Sequence, residues 1–183
     1  MTLSRDRQAV TPAGEARLQQ LAGQLRHCID HARALARGLV PVARGRDTLV
    51  SALRELAANT ARVYRRPCRF HCDPPVVFED PVAGTHLYRI AQESINNAVH
   101  HGQARRIGLR LAARDGEVEL RIEDDGIGVP EHPRQRPGIG LRIMQYRASA
   151  INGTLHVGRR AGGGTEVVCT FHPSTTSPDE GSV

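Results

Sequence analysis

The sequence predicts an α/β fold: a two-layer sandwich in which a mixed, mostly antiparallel sheet carries helices on one face, with a helical arm ahead of it. Three observations lead there. Segments with apolar residues at three- and four-residue intervals (15–39, 48–64, 87–102 and 141–150) alternate with short period-two segments (68–72, 105–113, 117–124, 154–157 and 165–171). Asp115-Gly116 joins two of the period-two segments, a strong signal for a hairpin. The chain has 183 residues, 39% hydrophobic and 24% charged, which suits one soluble domain with an appended arm.

In order, residues 1–14 read as linker. Over 15–47, Leu18, Leu21, Ala22, Leu25, Ile29, Ala32, Leu35, Ala36 and Leu39 repeat at near-heptad spacing before Gly38 and Pro41 stop the pattern. That spacing suits a helix packing on other helices, in a hairpin or in a homodimer through 15–39; a helix lying on its own domain fits it too. The main domain spans 48–172. It opens with a helix from Thr48 to Tyr64 behind Asp47 as N-cap, then a strand Cys68–Cys72 with Cys68, Phe70 and Cys72 on one face. Pro74-Pro75 breaks the chain, and Asp80 or Pro81 begins the long central helix. Residues 173–183 form a Ser/Thr/Pro-rich tail that reads as disordered.

The central helix carries two kinds of information. Leu87, Ile90, Ala91, Ser94, Ile95, Ala98 and Val99 make one apolar or small stripe, and Gly102 supplies a stop. Beside that stripe Glu93 and Asn97 stack one turn apart, with His100 three residues further on. A carboxylate and an amide oxygen on one rigid helix suit a hard cation such as Mg²⁺, which prefers oxygen ligands and keeps several waters. A polar column of this kind is also what any solvated helix face presents, so its meaning depends on the rest of the chain.

Downstream, Asp124-x-Gly126-x-Gly128 stands at a strand end. There an acid can point into a pocket and accept a hydrogen bond from an exocyclic amine, while the glycines allow a tight turn and close ligand approach. Gly138-x-Gly140 precedes a helix whose free backbone N–H groups can receive phosphate oxygens. Gly164-Thr165 starts the last strand. Singly, these read as an acidic turn, a flexible turn and an ordinary strand residue.

Several classes are disfavoured. The net charge is +6, but the basic residues are all arginine, scattered as singles and pairs, and aromatic content is 3%. Nucleic-acid binders want stacking platforms or a concentrated basic stripe, so no nucleic-acid partner is expected. No apolar run approaches 18 residues, so no membrane segment is expected, and the polar start lacks the apolar centre of a secretory signal. Cys28, Cys68, Cys72 and Cys169 then read as reduced thiols of a cytoplasmic protein. Cys68, His71 and Cys72 lack the second half of a zinc site, and two cysteines of equal parity fit a strand's core face.

Taken together in this order and spacing, the elements resemble the N box, the two glycine boxes and the closing Gly-Thr of the ATPase fold shared by DNA gyrase, the Hsp90 chaperone, histidine kinases and mismatch-repair MutL (the Bergerat fold), over residues 80–172. Glu-Ser-Ile-Asn-Asn-Ala-Val-His-His-Gly (93–102) is most similar to the sensor histidine kinases of the nitrate-sensor and DesK subclass. Residues 34–42 and 49–57 are similar to the second dimerisation helix of that subclass and its link into the catalytic domain. The resemblance implies the ATP-binding catalytic domain of a two-component kinase, with ATP and Mg²⁺ as cofactors, a phosphoacceptor-histidine helix and a response regulator as partners, and a parent that can be membrane-attached. Asn97 would ligate the Mg²⁺ that bridges the phosphates. Glu93, at the place of the gyrase water-activating glutamate, would order the metal's waters or the acceptor histidine. Asp124 would read adenine N6, with Thr165 in support through water. Gly126, Gly128, Gly138 and Gly140 would form pocket and lid backbone, with Asn96 and Leu141 in the same boxes. His100 and His101 stand where many kinases carry Lys-Tyr, facing the phosphates.

Two departures from the family pattern stand out. The lid, Val129 to Pro137, is short and lacks a phenylalanine-bearing box. No His-Asp pair is present: His27 and His31 lie in the second-helix pattern, and neither is followed by Asp or Glu. The expectation is therefore a C-terminal fragment or truncated kinase whose acceptor histidine lies in another helix. An anti-sigma-factor serine kinase, whose N box has a similar arrangement, and a non-catalytic nucleotide-binding or dimerisation module are the competing readings.

Overall fold

A computed structural model describes residues 48–72, 76, 80–129 and 138–173. The chain divides into two units, 1–41 and 42–183, and every described residue belongs to the second. The expected linker over 1–14, the helix over 15–39 with His27 and His31, the lid beyond Val129 and the tail beyond Pro173 lie outside the described residues.

The elements are α1 Thr48–Tyr64, β1 Cys68–Cys72, α2 Pro81–His100, β2 Ile107–Arg114, β3 Glu117–Asp124, α3 Ile139–Ser149, β4 Thr154–Arg159 and β5 Thr165–Phe171. The strands form one five-stranded sheet in the order β1-β2-β3-β5-β4. β1 and β2 are parallel because the whole of α2 lies between them as a crossover. The other pairs are antiparallel, so the sheet is mixed and largely antiparallel, as expected. Between β2 and β3, Asp115 (φ 52°) and Gly116 (φ 79°) both take the left-handed conformation that a two-residue turn demands.

Register decides which side chains meet the helices. Phe70 pairs with Leu109, which pairs with Ile122, which pairs with Val167; Cys72, Leu111, Leu120 and Cys169 form the next row. These rows join Leu87, Ile90, Ala91, Ile95 and Ala98 of α2, Leu49 and Leu53 of α1, and Met144 and Ala148 of α3 in one core. Burial pushes the Cys68 and Cys169 thiols up to about 11, so both stay protonated and inert at neutral pH. The opposite sheet face is charged. Arg110, Arg114, Arg121, Glu117, Glu119 and Glu123 line a groove of about 460 Å³ over Ala112, with Arg121 paired to both Glu119 and Glu166.

The central helix starts where the sequence places it. One oxygen of Asp80 accepts from the N–H groups of Val82 (2.9 Å) and Ala83 (3.0 Å), and Pro81 occupies a position that needs no donor. Every residue of its predicted stripe is buried. At the other end Arg66 donates to the carbonyl of Ala104 (2.7 Å) and more weakly to that of Val99 (3.4 Å), closing off the chain that leaves the helix.

Boundaries differ from expectation at both ends of β2 and α3 and at the end of β4, two of them for visible reasons. β2 begins at Ile107 rather than residue 105 because the N–H groups of Arg105 and Arg106 both donate to Asp125 Oδ1 at 2.7 Å instead of joining the ladder. α3 begins at Ile139, since Gly138 is already its extended N-cap (φ −60°, ψ 159°). β4 runs on to Arg159, paired with Thr165.

Leu87 is fully buried, so Leu87→Ala should lower the free energy of unfolding by about 2–5 kcal/mol in denaturant titration. Val82, 63% exposed on the same helix, should tolerate alanine within about 0.5 kcal/mol.

Candidate functional site

The site is built from two clusters joined by the end of α2. The first surrounds Asp124, the last residue of β3, whose side chain is buried (6% exposed). A buried carboxylate must be hydrogen-bonded to be tolerated. Its Oδ1 accepts from the N–H of Gly126 at 2.7 Å and from that of Thr165 at 3.2 Å. The two N–H groups come from the turn after β3 and from the first residue of β5, so one oxygen ties Asp-x-Gly to Gly-Thr. Oδ2 makes no hydrogen bond among the described residues. Arg160 adds a donor to the Asp124 carbonyl (3.2 Å) and an ion pair to Glu123 (3.4 Å).

Glycine is required at several of these contacts for steric reasons. A Cβ on Gly164, which sits at φ +89°, would lie 1.8 Å from the carbonyl oxygen of Asp124. A Cβ on Gly126 would lie 2.2 Å from the carbonyl oxygen of Gly102. That same Gly102 carbonyl accepts from the N–H of Ile127 at 2.9 Å. Gly128 (φ +78°) packs against the Gly164 carbonyl and the side chain of Arg159. Asp125 serves differently. Burial works against its charge, but the N–H groups of Arg106 and Arg105 outweigh it and hold its carboxyl below the usual range.

The second cluster lies one to two turns back along α2. Glu93 is buried (8% exposed) and Asn97 half-buried. Both face the first turn of α3: a Cβ on Gly140 would lie 2.1 Å from Glu93 Oε1 and 3.6 Å from Asn97 Nδ2. Glu93 is thus no part of a solvated helix face. Its carboxylate sits at the positive end of a helix that has no side-chain cap and no acidic residue in its first turn. The Asn97 carbonyl accepts from the N–H groups of His101 (2.9 Å) and Gly102 (2.8 Å), and Gly102 in turn seats Gly126 and Ile127. Through these contacts the helix end fixes the two clusters relative to each other.

The remaining predicted residues are dispersed around these clusters. Asn96 and Leu141 are half-buried, Leu141 packing at the edge of the core, and Gly138 is exposed as the cap of α3. The His100 ring stands edge-on to Tyr64, with centroids 5.7 Å apart and planes at 86°. His101 is exposed at the helix C-cap. Sequence reasoning missed one part. It took Gly102 for a stop signal when its carbonyl also holds the turn after β3.

Comparison with known proteins agrees with this arrangement. Residues 83–175 match the family described as histidine kinase-, DNA gyrase B-, and HSP90-like ATPase. The chain belongs to that family. It is 43% identical over 94 residues to the nitrate/nitrite sensor protein NarX of Escherichia coli K12, a match covering 51% of this chain and 16% of that protein. It is 34% identical over 124 residues to the nitrate/nitrite sensor protein NarQ of the same strain, covering 67% of this chain and 22% of the relative. The chain therefore spans only about a fifth of the curated relatives it matches. Among solved structures, the ATP-binding domain of PrrB from Mycobacterium tuberculosis is 28% identical with a TM-score of 0.52, over 64% of this chain and 88% of that one. The histidine kinase domain of the blue-light activated kinase EL346 from Erythrobacter litoralis shares the fold at 23% identity and a TM-score of 0.58, over 69% and 61% of the two chains. Among the described residues, no helix is long and apolar enough to cross a membrane.

Gly162 (φ +94°) and Gly164 share the left-handed strain, but only Gly164 lacks room for a Cβ. Gly164→Ala should therefore destabilise the chain by at least about 2 kcal/mol more than Gly162→Ala, measured by denaturant unfolding. Equal costs would mean that the packing of Gly164 against Asp124 does not hold the site together.

Proposed function

We propose that this chain binds Mg²⁺-ATP and passes its γ-phosphoryl to a histidine in a helix that this chain does not carry, as the catalytic domain of a two-component kinase. The observation that carries the reading is the buried Asp124 carboxylate, held by Gly126 and Thr165 through one oxygen with the other left over. A fixed, buried acceptor suits the adenine exocyclic amine. The oxygen donors of Asn97 and Glu93, against the first turn of α3, suit the metal and phosphate end. Bound Mg²⁺ would supply charge neutralisation for the phosphate oxygens.

The residues' own work is positioning. Asp124, with Thr165 beside it, orients the base. Asn97 offers an amide oxygen to the metal, with Asn96 on the same turn. Glu93 orders waters around the metal or orients the incoming imidazole. The backbone of Gly126, Gly128, Gly138 and Gly140 lets nucleotide and helix end approach closely, with Leu141 packed behind. In the transfer, an imidazole nitrogen bonds to the γ-phosphorus as the bond to the β-phosphate oxygen breaks. ADP leaves with that electron pair, and the imidazole gives up its N–H proton to solvent. His100 and His101 would contribute at the phosphate end, although His100 already has a packing partner in Tyr64. The response regulator and the acceptor helix would be the protein partners, with a homodimer through 15–39 where that segment pairs with its copy. The similarity to NarX and NarQ, both nitrate/nitrite sensor proteins, favours this reading over a serine kinase.

Calorimetric titration of the chain with ATP, with and without Mg²⁺, tests it. Wild type should bind with Mg²⁺-dependent affinity. Asp124→Asn should weaken binding at least about tenfold, and Asn97→Ala should remove the Mg²⁺ dependence. No binding, or binding indifferent to both substitutions, would contradict it. Nucleotide binding with no phosphohistidine on an added acceptor helix of a family member would leave a non-catalytic nucleotide module.

A further inference from the structure

The connection between α2 and β2, residues 101–106, is the piece of chain on which the Asp124 turn is seated. The Gly102 carbonyl accepts from the N–H of Ile127 at 2.9 Å and leaves no room for a Cβ on Gly126. Gly126 in turn donates to Asp124 Oδ1 at 2.7 Å. Two residues further on, the N–H groups of Arg105 and Arg106 bind Asp125. The position of this connection therefore decides the position of the turn.

The last carbonyls of a helix have no partner within it. At the end of α2, that of Asn97 accepts from His101 and Gly102, and that of Ala98 accepts from Ala104 at 3.0 Å. The carbonyls of Val99 and Ala104 are met by a side chain instead. Both accept from Nη1 of Arg66, at 3.4 and 2.7 Å. Ala104 has no exposed surface, and a buried carbonyl left without a donor is costly, so the guanidinium makes this path of the chain tolerable. A cation there also suits the negative end of α2. Gly102 lies between the two bridged residues. Arg65, left-handed at φ 52°, ends α1 and turns the chain so that Arg66 reaches them. Beside it the Pro67 carbonyl accepts from the N–H of Ile107 at 3.0 Å.

We infer that Arg66 is a positioning residue of the nucleotide pocket: by bridging the Val99 and Ala104 carbonyls it fixes Gly102, and through Gly102 the turn that orients Asp124. The inference rests on the Mg²⁺-ATP reading above and adds to it a residue outside the N box and the glycine boxes. Arg66 acts through Gly102 rather than on nucleotide. Its loss should loosen the seat of Ile127 and weaken binding without opening the sheet.

The test is amide hydrogen exchange of the nucleotide-free chain, alongside calorimetric titration with Mg²⁺-ATP. In R66M the Ile127 amide should exchange at least about tenfold faster, while that of Leu120, buried in the middle of β3, stays within about twofold. The ATP Kd should rise about fivefold. R66K should recover most of both losses, because an ammonium with three donors can serve both carbonyls. R62M, which removes an exposed arginine of α1, should move neither readout. R66Q, whose shorter side chain cannot bridge the carbonyls, is the second variant should R66M fold poorly. Unchanged exchange at Ile127, exchange that rises equally at Leu120, an unaltered ATP Kd, or an R66K as impaired as R66M would each overturn the role of Arg66 while leaving the nucleotide reading standing. A wild-type chain that binds no ATP would remove that reading, and the role of Arg66 with it.

Discussion

The hydrogen bonds around the Asp124 carboxylate are the constraint on which the rest of the site depends. A carboxylate 6% exposed is tolerated only because N–H groups from two separate parts of the chain converge on it. Those parts, the turn after β3 and the start of β5, are adjacent only because β3 and β5 pair in the middle of the sheet. Two close backbone contacts surround the same point, Gly126 against the Gly102 carbonyl and Gly164 against that of Asp124, each too tight for a side chain. Sheet order, glycine placement and the buried acid are thus one requirement seen at three levels.

Much of this was legible in the sequence, and the reasons are local. α1, β1, β3 and β5 begin and end where periodicity, caps and turn residues put them, because those signals act within a few residues. The stripe of α2 was legible for the same reason. What failed was contact between distant segments. The start of β2 moved because Asp125, some twenty residues downstream, takes the N–H groups of Arg105 and Arg106. Gly102 read as a terminator, since nothing nearby reveals that its carbonyl holds Ile127. The Glu93–Asn97 column was recognisable by spacing, but its burial against Gly140 depends on the packing of α3 on α2. Helix boundaries are local facts; the closeness of two helices is not.

α3 links the two ends of the site to the core. Met144 and Ala148 anchor it in the apolar cluster, and its first turn meets the N-box residues directly.

The central claim is that Asp124 reads an exocyclic amine, and the sharpest measurement compares two nucleotides that differ there. ATP carries an amine at position 6 of the purine; inosine triphosphate carries a carbonyl. With Mg²⁺ present, the chain should bind ATP at least about tenfold more tightly than inosine triphosphate, and Asp124→Asn should bring the two affinities close together. Equal affinities in the wild-type chain, or a preference that survives Asp124→Asn, would contradict the account.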